Sequence, residues 1–187
     1  MGKLVVTEFV SVDGVFEDPG GAEDFEHGAW SFEFDRGEEG EKFKLDETLD
    51  SDALLLGRVT YEGFAEAWPE RDGEFADKFN SMPKYVVSST LEDLEWTNST
   101  VIGTDLQAEV PKLKDQHERD IVVHGSGQVA RGLLDLGLLD ELRLMVFPVV
   151  LGKGKRPFEG AEMSPLKLTE SKIVGSDGVI VLIYERR

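Results

Sequence analysis

The chain has 187 residues, 40% of them hydrophobic, which suits one well-packed domain over 1–187 and leaves little material for a second. Its formal charge of −18 repels a phosphate backbone, so no nucleic-acid partner is expected, and no window approaches the roughly 20 apolar residues that a membrane span needs. There is no cysteine, and the histidines at 27, 117 and 124 lack ligand spacing, so disulfides, thiolate metal sites and a structural zinc are not expected.

In chain order, the first β-rich run is Leu4–Val10, which follows Met1-Gly2-Lys3 directly with no apolar leader and so predicts a soluble, cytoplasmic protein. From Glu17 to Glu41 the chain carries Pro19-Gly20-Gly21, many acids, and the aromatics Phe25, Trp30, Phe32 and Phe34. That mixture predicts a long loop with some helix, folded as a lid with Trp30 over the substrate end of a cleft. A helix is expected over Glu41–Leu49, a strand over Ala53–Leu56 and a helix over Thr60–Ala67. Strands follow at Tyr85–Ser88 and Thr100–Ile102, then a helix over Leu106–Gln116, a strand over Ile121–His124 and a helix over Gln128–Leu136. The last strands are Glu141–Val149, Leu166–Ile173 and Val179–Tyr184, the final pair joined by the short turn Gly175-Ser176-Asp177-Gly178. About eight strands alternating with helices predict an α/β fold, with a mostly parallel central sheet, flanking helices and a C-terminal antiparallel hairpin.

Two stretches carry chemistry. In Leu56-Gly57-Arg58-Val59-Thr60-Tyr61-Glu62 a buried strand ends at a glycine, and an arginine and a threonine open a helix. Free backbone amides, a hydroxyl and a guanidinium converge there, as an anion site requires. The same residues also describe an ordinary helix cap with a solvated arginine. In Val123-His124-Gly125-Ser126-Gly127-Gln128-Val129 a second strand meets a helix through a glycine-rich turn, which lets amides and the positive helix end approach a pyrophosphate. This is not GxGxxG, because Ala130 stands where the third glycine belongs, nor GxSxG, because His124 and Gln128 occupy the outer positions.

Taken together, these stretches resemble the dihydrofolate reductase superfamily, in particular the reductase domain of riboflavin biosynthesis. That group carries a strand–GRxTxE–helix, a strand ending in Ser-Ser, and a strand–GSG–helix, matched here by Gly57–Glu62, Val86-Val87-Ser88-Ser89 and His124–Gln128 in the same order. The opening Ser11-Val12-Asp13-Gly14 looks like the SLDG start of the riboflavin branch, and Leu139-Asp140-Glu141-Leu142 resembles its DEL strand, so the likeness runs from about Lys3 to Tyr184. It implies NADPH as cofactor, with Gly57, Arg58 and Thr60 at the phosphates, Ser88 and Ser89 near the 2′-phosphate, and Gly125, Ser126, Gly127 and Gln128 around the pyrophosphate.

The resemblance further implies hydride transfer to a small heteroaromatic or carbonyl substrate, pterin-like or ribosylaminopyrimidine-like. A nucleotide-binding protein of the same fold without turnover is the alternative. The catalytic carboxylate is expected at Asp13, beside the nicotinamide, or at Glu41, in the helix before the GRxTxE strand, among several nearby acids. Trp30 and His124 are expected to face the substrate. A symmetric homodimer is expected through the long apolar strand Glu141–Val150.

Overall fold

The computed structural model describes residues 1–187. Its elements are β1 (Leu4–Ser11), a 3-10 turn (Trp30–Glu33), α1 (Gly37–Leu49), β2 (Ser51–Gly57), α2 (Arg58–Ala67), α3 (Glu74–Ser81), β3 (Lys84–Val87) and β4 (Ser99–Ile102). They continue as α4 (Leu106–Gln116), β5 (Asp120–His124), α5 (Gly127–Asp135), β6 (Glu141–Phe147), β7 (Leu166–Val174) and β8 (Val179–Arg186). The eight strands form one sheet in the order β4-β3-β2-β5-β1-β6-β8-β7. The first six in that order run parallel, and β8 and β7 close the sheet as an antiparallel hairpin.

The central strands read as unbroken apolar runs because both their faces are covered. Leu54, Leu55 and Leu56 of β2 and Ile121, Val122 and Val123 of β5 are all buried. Alternate residues serve opposite layers: Val5, Leu54, Leu56 and Val122 pack with Tyr61, Phe79 and Trp96, on the side of α2 and α3. Leu4, Val6, Leu55, Ile121 and Val123 pack with Val110 and Leu113 of α4 and Val129 and Leu133 of α5. Each fully buried aliphatic side chain contributes about 1.5–3 kcal/mol, and a one-residue slip would exchange the two sets. Register is therefore strongly specified. Because β1 lies between β5 and β6, the carboxyl ends of β1, β5 and β2 splay around a crevice where the chain order reverses, the usual ligand position in an open α/β sheet.

Two expectations need correction. The strand expected to carry an assembly, β6, is interior: β1 pairs with one side of it and β8 with the other, so its hydrogen-bonding groups are already used. The free edges are β4 and β7, and β7 presents the charged Lys167, Glu170 and Lys172 to solvent. The second correction is α3, in a stretch where the sequence reading assigns no element. Its Phe75, Ala76 and Phe79 form one short apolar face, with Phe75 5.2 Å and Phe79 4.7 Å from Trp68, ring centre to ring centre.

Lys84 is a cation with no exposed surface. Its Nζ donates to the carbonyls of Asn80 (2.6 Å), Met82 (2.8 Å) and Thr97 (2.9 Å), and it lies 4.3 Å from the centre of the Trp96 ring. Burial pushes its amine down to about 8, while three carbonyls satisfy its protons. The ammonium thus ties the end of α3 to the approach to β4. Lys84→Met would leave these carbonyls without their donor and should destabilise the fold by about 3 kcal/mol. Urea unfolding checks this, and an unchanged midpoint would contradict it.

Candidate functional site

The carboxyl ends of the central strands open into a cleft of about 1940 Å³. Pockets for one small molecule usually hold about 300–1,000 Å³, so this one has room for two ligands or a dinucleotide with an acceptor.

One wall is built by the two turns. The Gly57 amide donates to Ser126 Oγ (2.9 Å), the Ser126 amide donates to Thr60 Oγ1 (3.0 Å), and Ser126 Oγ donates to the His124 carbonyl (3.2 Å). The strand–turn–helix units β2–α2 and β5–α5 are thereby stitched side by side, with the first amides of both helices facing the same space. Gly125 and Ser126 both adopt φ of 58°, a left-handed conformation that Ser126 holds at some steric cost. At Gly127 a Cβ would lie 2.6 Å from Phe16 Cζ, so the absence of a side chain lets that ring close over the start of α5.

Gly57, Arg58, Thr60, Gly125, Ser126, Gly127 and Gln128 all line the cleft together. Arg58 is half exposed and donates to Glu62 Oε1 (2.7 Å) and Thr90 Oγ1 (2.9 Å). Ser88 lies outside the cleft wall, its Oγ accepting from the amides of Thr90 and Leu91. That hydroxyl shapes the turn which leaves Ser89 exposed and Thr90 against Arg58.

The facing wall is polar in a way that the sequence reading missed. Thr7 of β1 and His124 of β5 are lateral neighbours in the sheet, both turned toward α1 and α3. Lys44 of α1 donates to Thr7 Oγ1 (2.9 Å) and forms a very short ion pair with Glu47, while Thr7 Oγ1 donates to Glu47 Oε2 (3.2 Å). Burial alone would raise the Glu47 carboxyl, but Lys44 and Arg143 together hold it below the usual range. Arg143 is itself held by Glu141 (2.5 Å) and Asp120 (2.8 Å). Burial pushes His124 down to about 3, with the Lys44 charge adding to the shift, so its imidazole is neutral at ordinary pH; it stands edge-on to Phe79 at 5.4 Å.

Three expected residues lie elsewhere or act differently. Asp13 is not on the cleft wall: Oδ1 accepts from Ser11 Oγ (2.7 Å) and the Leu151 amide (3.1 Å), and Oδ2 from the Gly152 amide (2.9 Å). These bonds, the Ser11 hydroxyl foremost, draw its pKa down to about 2 and fasten the loop after β6 to the end of β1. Trp30 is buried beneath the lid segment, its Nε1 donating to the Glu17 carbonyl (2.8 Å) and its ring edge-on to Phe147 at 5.4 Å. The aromatics that reach the cleft from that region are Phe16 and Phe32. Glu41 does line the cleft, but it is exposed and takes a two-pronged ion pair from Arg36 (2.6 and 3.0 Å). One carboxylate went unnoticed: Glu8 of β1, only 5% exposed, lines the cleft and accepts from the Gly125 amide (3.1 Å). Its signal was available, since it breaks the inward series Leu4, Val6, Glu8, Val10.

A family model described as the RibD C-terminal domain matches residues 2–181. The uncharacterized protein YyaP of Bacillus subtilis (strain 168) is 30% identical over 139 residues, covering 71% of this chain and 73% of YyaP. Among solved structures, a Shewanella sp. PV-4 protein named for riboflavin biosynthesis superposes with a TM-score of 0.78 at 21% identity, covering 99% of each chain. Dihydrofolate reductase from Enterococcus faecalis, complexed with NADP(H) and RAB-propyl, superposes with a TM-score of 0.65 at 17% identity, over 99% of this chain and 96% of that one. At such identities the two superpositions establish the fold.

The Glu47 network generates a stability prediction with a defined pH sense. Glu47→Gln would leave Lys44 and Arg143 buried beside a neutral amide and should cost about 3 kcal/mol or more at neutral pH. Because the folded carboxyl sits below its ordinary value of 4.5, its contribution is complete above that value and fades as the pH falls through the depressed one. Denaturant midpoints taken from about pH 7 down to about pH 3 should show wild type and variant converging in acid. Parallel curves would contradict this account.

Proposed function

The chain belongs to the RibD C-terminal domain family, and we propose that it is a reductase that uses NADPH to transfer a hydride to a small heteroaromatic or carbonyl-containing acceptor. The stitched turns at Gly57–Thr60 and Gly125–Gln128 carry this reading, because they aim two helix N-termini at one space beside Arg58. An anionic dinucleotide fits that donor set: backbone amides and helix dipoles suit a pyrophosphate, and Arg58, with Ser89 and Thr90 beside it, suits a phosphate on the adenosine ribose. When bound, the cofactor supplies the hydride, and the protein supplies position and a dry environment.

The wall of Thr7, Lys44 and His124, with Glu47 behind it, is the part proposed to receive the acceptor. Hydride addition leaves negative charge on the acceptor, and Lys44 brings a proton-bearing cation to that wall while Glu47 and Thr7 keep its side chain oriented. Neutral His124 can offer a hydrogen bond without adding charge. Asp13 would then act at one remove, by fixing the loop after β6. The acceptor remains within two chemical classes, pterins and ribosylaminopyrimidines.

Calorimetry with NADPH and NADH tests the cofactor assignment. NADPH should bind more tightly, and Arg58→Ala should weaken NADPH about tenfold or more with a smaller effect on NADH. Equal affinities, or an unaffected variant, would overturn the assignment. Loss of NADPH absorbance over a panel of pterins and ribosylaminopyrimidines then tests turnover, and binding without oxidation of the cofactor by any of them would favour a nucleotide-binding role.

A further inference from the structure

Glu8 has no evident place in the fold's economy. It sits in the middle of the sheet with its neighbours Val6 and Val10 buried, and it pairs across β6 with Leu144, on the layer occupied by α4 and α5. An aliphatic residue at that position would be the stabilising choice. The Gly125 amide donates to Oε2, but Oε1 is buried and has no partner in the protein. A buried polar atom left in that state costs about 1–3 kcal/mol. The residue nonetheless borders the cleft, next to the turn proposed to hold the pyrophosphate.

We infer that Glu8 is a cofactor-recognition residue: its buried, unpartnered Oε1 hydrogen-bonds the carboxamide of the nicotinamide. This rests on the NADPH reading and adds a residue and a protonation state to it. The two oxygens are already distinguished by their surroundings. Oε2 faces a donor and so serves as the carbonyl oxygen, which leaves the proton for Oε1. Burial, the largest influence, raises the Glu8 pKa well above the ordinary value, with Glu47 adding to it, while the Gly125 amide and Lys44 oppose. A neutral acid suits a neutral carbonyl partner, where a carboxylate would repel it. A ligand whose phosphates sit on the amides of Gly127 and Gln128 would lie next to Glu8, because the neighbouring Gly125 amide donates to Glu8 Oε2 and all of these residues line the cleft.

The experiment compares wild type, Glu8→Gln and Glu8→Met by calorimetry with two probes, NADPH and 2′,5′-ADP, the second lacking the nicotinamide nucleoside. Glutamine can keep both roles, accepting from Gly125 and donating to the ligand, so its NADPH affinity should stay near wild type. Methionine keeps the bulk without the donor and should bind NADPH about tenfold or more weakly while binding 2′,5′-ADP as wild type does. A ligand-free arm reads the protonation state. The unfolded Glu8 ionises near 4.5 while the folded one keeps its proton, so wild-type stability should decline relative to Glu8→Gln as the pH rises above that value. The charged groups that act on it, Lys44 and Glu47 of α1, are present in both proteins.

A Met variant that binds NADPH like wild type would overturn the inference, as would one that loses both probes in proportion, since Glu8 would then only shape the Gly125 turn. A stability difference that is flat with pH would overturn the protonated state. Wild-type protein that binds neither probe would bring down the NADPH reading and Glu8's role with it, an outcome distinct from failure of the Met arm alone.

Discussion

The hydrogen bonds of Ser126 are what the cleft depends on. Its hydroxyl takes the Gly57 amide and its own amide reaches Thr60, so a single residue in a left-handed conformation holds two strand–turn–helix units in register. Without that link, β2–α2 and β5–α5 would still each form, because their strands are apolar and paired within the sheet. Their helix N-termini would not be obliged to converge. Backbone strain at Ser126 is therefore located on the cleft wall, which is where such strain is commonly tolerated.

Around this link the protein separates two kinds of polarity. The turn wall is made of backbone amides and one arginine, a surface that suits phosphates whatever the rest of the ligand looks like. The opposite wall is made of the side chains of Thr7, Lys44 and His124, backed by Glu47, which connects through Arg143 to Glu141 and Asp120 on the sheet. Those buried charges are paired in every direction, which is the condition under which ions can lie inside a protein. A wall of mutually paired charges of this kind holds its side chains in fixed positions.

The loops that border the cleft are held by a third device, hydrogen bonds and ion pairs between sequence-distant loops. Asp13 gathers the amides of Leu151 and Gly152, and Lys155 pairs with Glu17 and Glu23. The lid segment therefore owes its position to the β6–β7 connection, and its Trp30 belongs to the core with Phe147 rather than to the cleft.

Much of the fold was legible in the chain because it is encoded locally. Apolar runs of strand length, glycines at strand ends and helical spacing between them depend on neighbours within a few residues, and so do the two turn motifs and the closing hairpin. The turn wall of the cleft was readable for the same reason: its residues come in two short continuous stretches. Side-chain burial is a different kind of fact. With 38 acidic residues in the sequence, nothing local distinguishes Glu8 or Glu47 from a solvated carboxylate, although the interruption of an apolar alternation at Glu8 was a clue. Asp13 and Trp30 were recognisable as noteworthy, but beside the nearby Ser11 and Glu17 they have partners more than a hundred residues away, in Leu151 and Gly152 for Asp13 and in Phe147 for Trp30. Likewise an apolar strand such as β6 has two possible edges, and only the return of β8 alongside it decides that neither is free. Local sequence thus specified the elements and the two glycine turns, through backbone preference and periodicity. The charged side-chain wall, the buried acid and the placement of the segment from Glu17 to Glu41 were decided only when the sheet brought distant strands together, because burial and charge pairing belong to the packed molecule and not to any segment of it.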